Sequence, residues 1–273
     1  MEKPDETITG FDRVDQAANP TFFTQFMDKS HTLQSASIYR QRMFDLLDVR
    51  PGAALLDVGC GAGNDVQDLA KLVGPSGRVV GIDSSATMIQ QAHARTAEAQ
   101  LPVEFLQGDA YQLPFEAHTF DGCQSSRAFK HLAEPDRALK EMVRVARPGA
   151  RIVVAEADFD LTIVDIPDRP LARKMIHLAC DRVRQGWMGR QLPTLFREAG
   201  LFDIVVTGHM LSIDYAYFQM VFGGLLQEAQ EAGQVEVSEV MRFWNELAQA
   251  EREQRMFGYV GFVVGGRKPL TGA

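Results

Sequence analysis

Apolar residues change their period several times along the chain. Over residues 19–47 they fall at helical spacing, with Phe22, Phe23, Phe26, Ile38, Met43 and Leu47 as the inward set, until Arg50-Pro51-Gly52 breaks the pattern. A short apolar run at 53–58 is followed by Gly59-Cys60-Gly61-Ala62-Gly63 and a helical stretch that ends near Gly74-Pro75. Residues 78–82 read as a strand and 85–99 as a helix with Met88, Ile89 and Ala92 inward. Further short strands fall at 103–106 and 120–123. Pro135 opens a helix at the one position where a missing N–H is harmless, and Ala138, Leu139, Met142, Val143 and Ala146 form its buried stripe. Arg147-Pro148-Gly149 stops it, and 151–156 is the next strand. This alternation predicts βαβ units, a parallel sheet and right-handed crossovers.

Beyond Glu156 the rhythm changes. Residues 158–200 read as a loop and two helices, and 202–206 as a strand. Two helical stripes follow, Phe218, Val221, Phe222 and Leu225, then Val237, Val240, Met241, Trp244 and Leu247, with Gly233 between them. The last strand, 256–264, is expected to stop at Gly265-Gly266, and the polar residues 1–18 are expected to be loosely ordered. There is no repeat of fixed period.

Composition narrows the classes. The 273 residues suffice for one large α/β domain or two small ones, with a core that needs no staples. A formal net charge of −8 disfavours a nucleic-acid partner, which calls for a basic face. No apolar run reaches the ~18–20 residues of a membrane span, and the opening MEKPDETITG has no apolar leader core. Cys60, Cys123 and Cys180 form no C-x-x-C pair, so no structural metal is expected and the usage suits a reducing, cytoplasmic setting.

The chemistry begins at the glycines. A strand that ends in glycines and opens a helix lets a ligand approach bare backbone, although alone it also fits a plain tight turn. Asp83, 20 positions after Gly63, ends the second strand, where a carboxylate can accept from both hydroxyls of a ribose. The spacing is G-x-G-x-G, and Asn64 stands where a dinucleotide fingerprint has its third glycine. Asp57 beside the loop would repel a pyrophosphate and favour a sulfonium or an ammonium. The implied ligand therefore has a ribose and positive charge, and needs no phosphate.

These residues, with Gly108-Asp109-Ala110, Leu113-Pro114-Phe115, Phe120-Asp121 and Arg147-Pro148-Gly149 in order, resemble the class I S-adenosylmethionine-dependent methyltransferases. The group typified by ubiquinone/menaquinone-biosynthesis and small-molecule natural-product methyltransferases is the most similar. The resemblance is good over residues 50–156 and loose elsewhere. It implies an α/β Rossmann-like, seven-stranded, mostly parallel sheet of order 3-2-1-4-5-7-6; the N-terminal helices and the helical cap are read from the stripes above, and the cap departs from the short hairpin that usually joins the family's last two strands. The expected organisation is an N-terminal helical lid at 1–50, a cofactor-binding core at 51–210, a cap insertion at 211–255, and the last strand and tail at 256–273.

It also implies S-adenosyl-L-methionine as cofactor, with Asp57, Gly59, Gly61 and Gly63 about its methionine and ribose. Asp83 and Ser84 would serve the ribose, and Met88, Gly108, Asp109 and Ala110 the adenine. Gln124, Ser125 and Ser126 would border the transferable methyl. Met88 reads equally well as core, and Asp109 as a turn cap. His131 and Glu156 are the expected base and orienting carboxylate, although Lys130 stands where several relatives carry a second histidine. Arg127 is expected to hold an anionic substrate, the cofactor carboxylate or only water. Asp158, His177, His209, Tyr215 and Tyr217 are reserve candidates. His31 and Arg40 would close over the methionine end, and Gly186, Trp187 and Met188 would add a wall.

The expected partner is a small, largely apolar or aromatic methyl acceptor, with oxygen the first choice of atom and a homodimer left open. Rival readings are an RNA or protein methyltransferase, a cofactor-binding protein that catalyses a step other than methyl transfer, and a nicotinamide-dependent oxidoreductase.

Overall fold

A computed structural model describes residues 7–270. The strands are β1 (Ala54–Val58), β2 (Arg78–Asp83), β3 (Val103–Gln107), β4 (Phe120–Ser126), β5 (Ala146–Val164), β6 (Phe202–Ser212) and β7 (Phe257–Arg267). The helices are α1 (Thr21–Thr32), α2 (Gln34–Leu47), α3 (Asn64–Val73), α4 (Ala86–Thr96), α5 (Pro135–Val145), α6 (Arg169–Cys180), α7 (Met188–Glu198), α8 (Tyr215–Glu231) and α9 (Val237–Arg252). The strands form one sheet of order β3-β2-β1-β4-β5-β7-β6, as the resemblance implied. β1 to β5 pair in parallel, and β7 runs antiparallel to both β5 and β6.

Burial on both faces explains why β1 reads as an apolar run, interrupted by Asp57, rather than as an alternation. One face packs on α5 and α7, where Leu139, Met142, Leu192 and Phe196 meet Leu56, Ile152 and Val154. The other face lies under α2, α3, α4 and α6, with the α8–α9 pair beyond them. The parallel strands therefore present their carboxyl ends along one edge, where α/β folds place ligands.

Several expectations change. The N-terminal helical reading divides at Leu33, whose extended backbone (φ −63°, ψ 130°) separates α1 from α2 and leaves Ile38 64 % exposed. Residues 1–6 of the segment expected to be loose lie outside the described residues. Ile8–Gln16 form short 3-10 turns anchored by buried Ile8 and Val14. Two apolar anchors in a polar stretch are too few to show as a period. β5 continues well past Glu156, and β7 passes through Gly265-Gly266 instead of stopping there. A Cβ on Gly266 would stand 2.9 Å from Phe196 Cδ1 and 3.1 Å from Leu201 Cβ, so this glycine serves close packing.

The cap stripes divide as well. Phe218, Phe222, Phe243 and Trp244 are core, with the Phe218 and Phe222 rings stacked at 4.3 Å. Val237 and Met241 point to solvent. Among the described residues, no helix is long and apolar enough to cross a membrane.

Candidate active site

A cavity of about 370 Å³ lies along the carboxyl edge, roofed by the N-terminal segment and flanked by α8. The glycine loop forms its centre. Gly59 and Cys60 donate their N–H groups to Ile82 O at 2.8 and 3.1 Å, which ties the loop to β2. A Cβ on Gly59 would fall 2.5 Å from the Ala128 Cβ, and one on Gly61, at φ +53°, 2.8 Å from Met27 Sδ. Only glycine fits these two positions.

Asp83 closes the loop. Its Oδ2 accepts the Gly61 N–H and its Oδ1 the Ser85 N–H, both at 2.9 Å. Burial pushes its carboxyl up, against those two hydrogen bonds. Ser84, Met88, Gly108, Asp109 and Ala110 line the same end of the cavity, and Asp109 Oδ1 accepts the Tyr111 N–H at 2.8 Å. Asp57, Gly63 and Gln124 stand behind the lining. Burial, and then the nearby Asp65 charge, push the Asp57 carboxyl well above its usual range. The carboxyl faces the Gln124 amide, and its Oδ1 lacks a hydrogen-bond partner. Ser125 lines the cavity and donates to Val58 O at 2.7 Å.

The lid is held by charge. Asp15 accepts from Ser85 Oγ (2.6 Å), Ala86 N (2.9 Å) and Thr87 N (3.0 Å), and so caps α4 from outside. Burial alone would raise this carboxyl, but the hydrogen bonds outweigh it and hold it at about 2. Asp28 pairs with Arg95, and Asp12 with Arg184 at 3.0 Å.

His131 ends the short turn Phe129–His131, and its ring centroid is 5.3 Å from that of Phe11. Burial, helped by Lys130 and Arg184, pushes its pKa well below the usual value. Glu156 lines the same cavity but has another partner than the expected one. It accepts the Lys130 backbone N–H at 3.0 Å and faces Lys130 Nζ at 3.5 Å. Lys130, whose presence broke the family pattern, thus occupies the carboxylate expected to orient His131.

Reserve residues divide. His209 and Tyr217 line the cavity. His209 stacks on Tyr39 (5.2 Å, 9°), and burial lowers its pKa to about 4. Asp158 is paired with Arg190, and His177 faces Asp160 at 3.5 Å. His31 and Arg40 face Asp65 and Asp68 outside the cavity. Gly186, Trp187 and Met188 are not part of its wall, and Trp187 lies half-exposed under Arg190. Sequence reasoning missed Tyr39, Phe159 and Tyr259, which line the far end. They come from three separate elements with no local motif between them.

Comparison with known proteins agrees with this geometry. Residues 56–154 match a methyltransferase-domain model. The chain is 44 % identical over 190 residues to an uncharacterized 37.1 kDa protein in transposon TN4556 of Streptomyces fradiae, covering 69 % of this chain and 54 % of that one. It is 40 % identical over 129 residues to a demethylmenaquinone methyltransferase of Lactococcus lactis, covering 47 % of this chain and 49 % of the other. The chain spans about half the length of these curated relatives.

Among solved structures, YcgJ of Bacillus subtilis superposes with a TM-score of 0.60 at 18 % identity, over 84 % of this chain and 97 % of that one. A SAM-dependent methyltransferase of Aquifex aeolicus gives 0.52 at 18 % identity, over 94 % and 97 %. Residues 56–154 thus carry a methyltransferase domain, and the chain has the fold of the solved methyltransferases. Over the matched stretch the chain is similar in sequence to the demethylmenaquinone methyltransferases, and the Aquifex aeolicus protein of the same fold is dependent on S-adenosylmethionine. The residues present suit such a ligand. A buried acid and amide that face each other (Asp57 and Gln124), with Asp57 Oδ1 unpartnered, stand behind a bare glycine loop, next to the Asp83 carboxylate.

Proposed function

We propose that this chain methylates a small, largely apolar or aromatic metabolite, with oxygen the first choice of acceptor atom. The observation that carries this reading is the continuity of one roofed cavity. It runs from Met88, Asp109 and Asp83 at one end to Phe159, Leu211, Tyr217, Val221 and Tyr259 at the other. Bound S-adenosylmethionine supplies a methyl group made electrophilic by its sulfonium, so the chain has to hold, orient and deprotonate.

In this reading Asp83 and Ser84 hold the ribose, Met88, Gly108, Asp109 and Ala110 the adenine, and Gly59, Gly61 and Ser125 the methionine arm. Gly63 shapes the loop from behind. Asp57 and Gln124 favour a positive charge from the same side. Ala155 and Ala157 of β5 and Gly261, the β7 partner of Ala157, give the cavity a floor of small side chains, suited to a planar ring. His131 takes the acceptor proton, aided by the neutral form that its burial favours. Glu156 acts indirectly, by holding the turn that carries His131. The roof formed by the N-terminal segment excludes water and leaves no open groove for a polymer. Three free, buried cysteines support a cytoplasmic setting.

The test is release of S-adenosylhomocysteine when the protein is supplied with S-adenosylmethionine and a panel of hydroxylated aromatic compounds. Turnover with such compounds supports the reading. Acceptance of free amino acids or sugars alone would overturn the acceptor class.

A further inference from the structure

Arg127 stands at the junction of the two ends of the cavity. It follows β4 directly and adopts a left-handed backbone (φ 62°), a conformation that non-glycine residues rarely adopt. Its guanidinium lines the cavity, and Nη1 donates to Ser30 Oγ of α1. Its Nε is buried without a partner, and the neighbouring Ser126 hydroxyl and Tyr39 phenol face each other. Among the described residues, no carboxylate lies within ion-pair distance of it.

The other charges of this region are matched. Lys130 faces Glu156, and Arg184 pairs with Asp12. His131 and His209 are held neutral at pH 7 by burial. Asp65 acts on Arg127 only from beyond ion-pair distance and faces His31 and Arg40, so the guanidinium has no direct ionic partner.

Its surroundings place that charge toward the acceptor. Tyr39, Tyr217, Asp65 and Tyr259 surround Arg127. Three of these four line the acceptor end. Tyr217 stacks on Phe26 at 5.6 Å, Tyr259 on Phe159 at 6.1 Å, and Tyr39 on His209. The adenosine end, with Asp83 and Asp109, carries acids of its own.

We infer that the methyl acceptor carries an oxyanion, a carboxylate or an ionised phenol or enol, which pairs with Arg127 while its ring lies on the Ala155–Ala157–Gly261 floor. This rests on the methyltransferase reading above and names the substrate class of that same site. Arg127 is then the specificity-determining residue. A planar guanidinium suits a delocalised oxyanion, and Tyr39 and Ser126 supply further donors.

The experiment is calorimetry on the full chain saturated with S-adenosylhomocysteine. The probes are 4-hydroxybenzoate and its neutral analogue 4-hydroxybenzamide. The wild type should bind the benzoate about tenfold or more tightly than the amide, and Arg127→Met should abolish that preference. Arg127→Lys keeps the charge and should retain part of it, so the inference stays testable if the methionine variant does not fold. Absence of benzoate binding, or equal binding of the two probes by the wild type, overturns the inference.

A second arm compares S-adenosylhomocysteine with 5′-methylthioadenosine, which lacks the amino-acid tail. Affinity for both should survive Arg127→Met within about twofold. A tenfold loss for S-adenosylhomocysteine alone would assign Arg127 to the cofactor carboxylate and also overturn the inference. Failure of the wild type to bind S-adenosylhomocysteine at all would instead defeat the methyltransferase reading itself.

Discussion

Gly61 donates its backbone N–H to Asp83 Oδ2 at 2.9 Å, so the glycine loop after β1 and the acid that ends β2 form one hydrogen-bonded unit. The acid has two tasks. It fixes the loop, and it presents the carboxylate proposed to hold the ribose. Asp83→Asn keeps the shape but removes the charge that strengthens both contacts. Charge-assisted hydrogen bonds contribute about 1.5–3 kcal/mol, so the dissociation constant of S-adenosylhomocysteine should rise about tenfold to a hundredfold. Titration calorimetry reads this directly, and a value within twofold of wild type would remove Asp83 from the ribose role.

Removing His131 should separate binding from turnover. The residue lies against Phe11 in the wall of the cavity, away from the loop and Asp83. His131→Ala should leave S-adenosylhomocysteine affinity unchanged while its release in turnover falls about a hundredfold, the usual scale for a lost proton acceptor. Glu156→Gln should act through structure instead, loosening the Lys130 turn and lowering thermal stability. Unchanged turnover in His131→Ala would transfer the base role elsewhere in the cavity, with His209 the next imidazole to test.

The sheet and the loop were legible because their signals are local. Glycines at 59, 61 and 63, an acid at 83, and apolar runs separated by helical stripes each lie within a few residues of chain. The lid and the acceptor end were not. Asp15 caps a helix that starts 71 residues later, and Asp28 meets Arg95 across 67 positions. Tyr39 and His209 stack from opposite ends of the sequence. The partner of Glu156 was misread for a related reason. His131 and Lys130 are adjacent in sequence, and only the tight turn at Phe129–His131 decides which of them faces the acid.

His209 makes stability depend on pH. Burial lowers its pKa from the ordinary 6.5 to about 4. As the pH falls below 6.5 the unfolded chain takes up this proton, while the folded chain does not until about pH 4. The contribution is therefore complete above pH 6.5, is lost between 6.5 and 4, and stays constant below that. The residue is only half-buried, so the effect should be about 1–2 kcal/mol rather than the full shift. His209→Gln should accordingly show a smaller fall in melting temperature from pH 7.5 to pH 4.5 than the wild type. His131 titrates in the same direction but is present in both proteins, so the difference isolates His209. Parallel curves for the two proteins would show that the imidazole is already solvated in the fold.

The Asp28–Arg95 contact should set how fast the roof opens. Asp28 on α1 accepts from Arg95 Nη1 at 2.7 Å and Nη2 at 2.9 Å, and from Asn64 Nδ2 at 3.2 Å, which joins the lid to α3 and α4 together. Burial would raise this carboxyl, but the hydrogen bonds from Arg95 and Asn64 outweigh it and hold it below its usual range. Asp28 is half-exposed, so the pair should contribute only about 0.5–1 kcal/mol to global stability. Its effect on kinetics should be plainer, because opening the roof requires breaking both forks of the guanidinium at once. In Asp28→Ala, S-adenosylhomocysteine should dissociate about three- to fivefold faster while the melting temperature changes by only a few degrees. Stopped-flow displacement measures the rate, and amide exchange across α1 should quicken with it. An unaltered dissociation rate alongside faster exchange in α1 would mean that ligands leave by a route the lid does not control.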